Sequence, residues 1–133
     1  MTPIHPTDWR LAGTGKMTDA QRRLLNAACG DLAAHLPWHG IRLSHDDYRH
    51  MIAGTLLGWR ALPGIDLGDA KRGWIMLGGS SVALTRTQAT EAITLAFHLG
   101  DCPQDQGLPS APVAWCDVIC LARRIPDSER EAA

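Results

Sequence analysis

Arg22 and Arg23 carry the plainest chemistry in this chain, because their spacing places them in the first turn of a helix. A helix start leaves backbone N–H groups unpaired and carries the positive end of the dipole, so cations there can grip a phosphate oxygen. Gln21 stands beside the pair, and Ser80 follows Gly78-Gly79; both offer polar support. Lys71 and Arg72 sit in a Gly-rich stretch just before Trp74, and Arg86 follows an apolar segment. Aromatics close to such cations can stack on unpaired bases. Trp38-His39-Gly40 lies between two amphipathic segments. Its imidazole can meet a phosphate or tie the connector to the preceding helix end.

Hydrolytic and metal chemistry find weaker footing. His45, Asp46, Asp47 and His50 cluster at a helix start, and a metal-dependent nuclease using His45, Asp47 and His50 is the enzymatic alternative. Asp46 and Asp47 point about 100° apart on a helix, however, and first-turn acids ordinarily cap it. His35 and His39 have zinc-like spacing, but Pro37 breaks the helix between them. Cys116 and Cys120 share a helix face, yet zinc would require further ligands such as Cys29 or Cys102. Ser80 and Ser81 lack a nucleophile elbow, and Gly78-Gly79 lacks the lysine of a phosphate-binding loop. No catalytic group, metal or cofactor is expected.

The elements that must position these residues follow from periodicity and punctuation. Residues 1–16 read as an irregular arm, interrupted by Pro3, Pro6, Gly13 and Gly15 and anchored by Trp9. One globular domain is expected over 17–125, followed by a charged tail at 126–133. Thr18 and Gln21 form a capping box that opens a helix to Leu36, with Leu25, Ala28, Cys29, Leu32 and Leu36 inward. Ser44 caps a second helix whose apolar stripe includes Tyr48, Ile52, Leu56 and Trp59, with Trp59 expected in the core. Ala61–Gly73 reads as loop. Trp74–Leu77 reads as a strand paired with Ser81–Leu84 around Gly78-Gly79. Thr87 is expected to cap a third helix ending at Gly100, with Ala92, Ile93, Ala96 and Phe97 inward, and a fourth helix spans Val113 to Arg124. The fold class is α+β, mostly helical, about four helices with a small antiparallel sheet of short strands. Two short strands do not stand alone, so the sheet must pack on helices or pair with a second copy.

Composition sets the outer bounds. The chain has 133 residues and a net charge of −1, which gives no global field for an anion. Cations outnumber acids before residue 101 and acids dominate after it; all cations but Lys16 and Lys71 are arginine, the side chain suited to phosphate. No apolar run reaches the roughly 18 residues of a membrane span. Without an apolar leader at the N-terminus, a cytoplasmic location with reduced thiols is expected.

Thr18-x-x-Gln21-x-Arg23, then Gly30-Asp31, Trp38-His39-Gly40 and Tyr48, together resemble the NinB (Orf) recombination proteins of lambdoid phages. Trp74-Ile75-Met76-Leu77-Gly78-x-Ser80-Ser81 before a helix resembles that family's strand and Ser/Thr turn. The resemblance covers roughly residues 16–110, with Asn26 standing where relatives often carry an aromatic. It implies a homodimeric, non-catalytic single-stranded-DNA-binding recombination mediator. Such a protein helps a phage annealing protein or recombinase reach DNA coated by the host single-strand-binding protein. Positions matching the family pattern are Gln21, Arg23, Trp38, His39, Gly40 and Ser80. A third possibility is a protein–protein adaptor in phage DNA replication or recombination, using the acidic tail and an apolar helix face.

Overall fold

Three long helices form the frame because each begins at a reciprocal cap and carries an apolar face. The computed structural model describes residues 3–68, 73–78 and 84–124. Helix α1 is a single turn at Pro6–Trp9, α2 covers Asp19–His35, and α3 covers His45–Leu57. Strands β1, Trp59–Pro63, and β2, Trp74–Gly78, precede α4 at Arg86–Asp101, a 3-10 turn at Pro103–Gln106 and a short α5 at Asp117–Ala122. The architecture is α+β and mostly helical, with one antiparallel pair of strands among the described residues. No helix there is long and apolar enough to cross a membrane.

Thr18 accepts from the Gln21 N–H at 3.2 Å while Gln21 accepts from the Thr18 N–H at 3.1 Å, which fixes the start of α2. Ser44 and Asp47 open α3 in the same way, and Thr85 with Gln88 opens α4. The cap of α4 is therefore Thr85 rather than Thr87. The glutamine three residues on decides between them, and Thr87 instead accepts from the Gly13 N–H at 2.9 Å.

Helix α2 packs on α3, α4 and α5. Leu24, Leu25, Ala28, Cys29 and Leu32 meet Tyr48 and Ile52 of α3 and Ala89, Ala92, Ile93 and Ala96 of α4 in one core. Burial pushes the Cys29 thiol up to about 12, so it stays protonated and inert. The Tyr48 hydroxyl, itself pushed up to about 12 by burial, donates to the Leu36 carbonyl at the buried end of α2.

The arm is more ordered than its prolines and glycines suggest. Ile4 and Trp9 are core residues, and Trp9 stands edge-on to Phe97 at 5.5 Å. The Trp9 indole N–H donates to the Ala122 carbonyl at 2.7 Å, tying the arm to α5.

The sheet differs from the sequence-based expectation. The partner of β2 is β1, with Trp59 opposite Gly78 and Pro63 opposite Trp74; it starts at Trp59, read as the end of a helix stripe, and runs into the stretch read as loop. Gly58, at a φ of 94°, lets the chain leave α3 and enter β1 at once. Trp59 therefore belongs to a strand and is 39% exposed, not core. Its ring lies against Gly54, where an added Cβ would fall 2.1 Å from it. Pro63 is tolerated because β1 is an edge strand and Pro63 its last residue. Of the expected strand Ser81–Leu84, residues 81–83 lie outside the described residues. Leu84 is buried, and its carbonyl accepts from the Met17 N–H at 3.2 Å.

The last helix is shorter than expected. Val113 lies outside any helix and donates its N–H to the Gly100 carbonyl at 2.8 Å, and α5 begins only after Cys116. The Cys116 N–H donates to Asp31 at 2.9 Å, so Asp31 holds α5 rather than standing free on α2.

Candidate nucleic-acid interface

The first turns of α2 and α4 meet at Gln21. Its side chain is fully buried, and its amide donates to the carbonyls of Trp9 at 2.9 Å and Arg86 at 3.1 Å. The Thr90 hydroxyl lies 3.2 Å away. Gln21 is thus a positioning residue that joins arm, α2 and α4 from within, and its burial confines it to a supporting role rather than direct contact with a strand.

Around this junction two helix starts lie side by side, with exposed Lys16 and Arg86 beside it; Arg22 and Arg23, also exposed, follow Gln21 on α2, turned about 100° and 200° from its buried face. An antiparallel bridge joins Lys16 to Thr85, and the Arg86 Nε donates to the Lys16 carbonyl at 3.3 Å. The Arg86 side chain crosses the arm, so a Cβ added at Gly15 would sit 3.7 Å from its Nε. Arg22 pairs with Asp19 at 2.9 Å, an exposed contact that solvent weakens. Two dipole ends with Lys16 and Arg86 beside them favour an anion. Lys16 was not singled out by sequence, since only the bridge to Thr85 carries it to Arg86.

Trp38 and His39 lie elsewhere. Sixteen residues separate Arg22 from Trp38, mostly along α2, which is about 24 Å at the helical rise. The Trp38 and Ile41 backbones exchange hydrogen bonds at 2.7 and 3.0 Å, and His39 and Gly40 have φ of 49° and 82°. Positive φ at both central residues is the pattern of a type I′ turn. Glycine suits such a position, and histidine is among the residues that tolerate it. Half-buried Trp38 stands edge-on to His39 at 5.2 Å and to Tyr48 at 6.5 Å, while His39 is exposed at the tip. The triplet is therefore a tight turn supported by Tyr48, and it does not line the junction of α2 and α4. Lys71, Arg72 and Ser80 lie outside the described residues.

The His45, Asp47 and His50 set does not gather. Asp47 is held below the usual carboxylate range by the backbone N–H and then the hydroxyl of Ser44, the work of a helix cap. His45 faces Asp46 at 3.3 Å. Among the described residues, the group spaced to hold a metal ion is His98, Cys102 and Asp105 instead. Cys116 and Cys120 are exposed free thiols.

A cleft of about 360 Å³ opens along the outer face of α4, lined by Trp9, Arg10, Thr94, Phe97, His98, Asp101 and Arg123. Arg10 lies over the Trp9 ring at 5.1 Å and Arg123 over Phe97 at 4.7 Å. Arg123 grips Asp101 through two hydrogen bonds, at 2.7 and 3.1 Å, and Trp115 donates to Asp101 at 2.8 Å. Partial burial pushes against ionisation of Asp101, but the Arg123 and Trp115 hydrogen bonds prevail and hold its pKa below the ordinary value. The spacing of Thr94, His98 and Asp101 marks one polar helix face, but nothing local in sequence points to Arg10 or Arg123.

With this geometry in view, a solved structure named NinB is similar to the chain. The match has a TM-score of 0.56 and 22% identity, and covers 92% of this chain and 74% of that one. The fold is NinB-like. The likeness agrees with the sequence resemblance in fold, and identity at this level speaks to fold alone. No protein-family model matches the chain, and neither does any curated protein. Within the NinB-like frame, Asn26 accepts from the Arg49 guanidinium at 3.1 Å and joins α2 to α3 by a polar contact.

Proposed function

We propose that this NinB-like chain is a non-catalytic single-stranded-DNA-binding protein of phage-type recombination. It acts as a homodimer and helps an annealing protein or recombinase onto DNA coated by single-strand-binding protein. The observation that carries the reading is the junction where the capped starts of α2 and α4 meet beside exposed Lys16 and Arg86, with Arg22 and Arg23 exposed just beyond on α2. The junction offers phosphate contacts without base-edge readout, which suits a mediator that must accept any sequence.

The test is anisotropy of a labelled single-stranded oligonucleotide across a salt series. Each phosphate contact to a single strand contributes a slope of about −0.7 in log K against log salt. Replacing Arg22, Arg23 and Arg86 with alanine should flatten that slope by about 2, alike for all sequences. All three side chains are exposed, so the unfolding midpoint serves as the control for an intact fold. Wild-type affinity insensitive to salt would sink the proposal.

The dimer draws on the hairpin. Leu62, Ile65, Leu67, Trp74 and Ile75 are exposed, with Leu67 at 87% and Trp74 at 74%. Leu62 and Ile75 pair on one face and Trp74 stands on the other, so both faces of the hairpin expose apolar side chains of the kind that marks an interaction surface. Replacing Leu67 and Trp74 with glutamate is expected to convert a dimer to monomer in sedimentation velocity. A wild-type chain that sediments as a monomer at all concentrations would refute the dimer.

A further inference from the structure

We propose that His98, Cys102 and Asp105 bind a zinc-class divalent ion, a site independent of the DNA-binding reading. Their ligand atoms, one imidazole nitrogen, one thiol sulfur and one carboxylate oxygen, all lie within 4.8 Å of one another. His98 and Cys102 are four apart at the end of α4, where the Cys102 N–H donates to the His98 carbonyl at 2.9 Å. The Asp105 N–H donates back to the Cys102 carbonyl at 3.1 Å, so the 3-10 turn folds its carboxylate over the helix end. His98 Nε2 already meets Asp105 Oδ2 at 3.2 Å. The backbone of the triad is thus set by local hydrogen bonds, independently of distant packing.

Zinc bonds of about 2.0–2.3 Å require tetrahedral ligands to lie somewhat closer than the present upper limit. The exposed side chains of His98 and Asp105 can close that gap by rotation. A mixed nitrogen, sulfur and oxygen set favours zinc or cobalt over magnesium or calcium, which take oxygen. Binding releases the Cys102 proton to solvent and leaves a fourth position for water. His98 also lines the cleft containing Arg10 and Arg123, so an ion here would add positive charge beside two guanidinium groups.

The experiment is titration of the reduced full chain with Co²⁺, followed by displacement with Zn²⁺. The expected result is one equivalent bound, with a thiolate-to-cobalt charge-transfer band and visible bands of a four-coordinate ion. Cys102→Ser should abolish the charge-transfer band and weaken zinc binding, because the thiolate ligand is lost. His98→Ala and Asp105→Asn should each weaken it, whereas a Cys116→Ser/Cys120→Ser double variant should bind as wild type. The absence of a thiolate band, its survival in Cys102→Ser, or its loss in the Cys116/Cys120 variant would overturn the assignment.

Discussion

Replacing Gln21 with leucine is expected to lower the unfolding free energy by about 2–4 kcal/mol, although the side-chain volume barely changes. The amide is fully buried and donates to Trp9 and Arg86 carbonyls, while its oxygen accepts from the Thr18 N–H. Leucine removes all of these hydrogen bonds and sets apolar carbon against polar groups, at about 1 kcal/mol for each ordinary bond lost and more where a group stays dry. Denaturant titration would show a lower midpoint with an unchanged slope. Thr18→Ala provides the comparison, because it removes only the cap and should cost about 1 kcal/mol. If Gln21→Leu cost no more than Thr18→Ala, the contacts to Trp9 and Arg86 would contribute nothing, and arm and helices would dock by apolar packing alone.

The same residue shows what sequence could and could not reveal. Thr18 with Gln21 announces a helix start by spacing alone, and the inward stripe from Leu25 to Leu36 follows from period 3.6. That Gln21 also reaches Trp9 and Arg86 has no local signature, because those partners stand 12 and 65 positions away. The exposed arginines beside it are legible in the sequence, and the meeting of Lys16 with Arg86 is not. Strand β1 escaped notice for the opposite reason. Pro63 and Gly64 signal a break, yet Pro63 needs only an edge position and the last place in its strand. Trp59 continued the apolar spacing of α3 by register, but Gly58 ends that register one residue earlier. The cleft was hidden because Arg10 and Arg123 come from opposite ends of the chain, each drawn to an aromatic ring by tertiary packing.

Distance along α2 constrains how the proposed function could work. The Arg22–Arg23 start and the Trp38–His39 turn occupy opposite ends of that helix. A single strand touching both must run about 24 Å along it, or one protomer's turn must lie near its partner's helix start. The first arrangement makes Trp38→Ala weaken long oligonucleotides more than short ones; the second makes that loss depend on an intact dimer.

Trp9→Ala should produce the largest loss of stability, about 3–5 kcal/mol, the range for removing a buried large aromatic. For a chain of this size that corresponds to a fall in Tm of roughly 10–20 °C. The ring fills the space between the arm and Phe97, carries Arg10 on its face, and anchors α5 through the Ala122 carbonyl. Trp9→Phe separates these contributions: it keeps most of the apolar area but leaves the Ala122 carbonyl without its donor, at about 1–2 kcal/mol. Gln21 donates to the backbone of Trp9, so Trp9→Ala and Gln21→Leu should couple in a double-mutant cycle instead of adding. An additive pair would mean that the arm is held at two independent points. A coupled pair would mean that one docking event seats the arm and fixes Arg86 against Lys16, making the stability of residues 3–16 a direct lever on the proposed DNA binding.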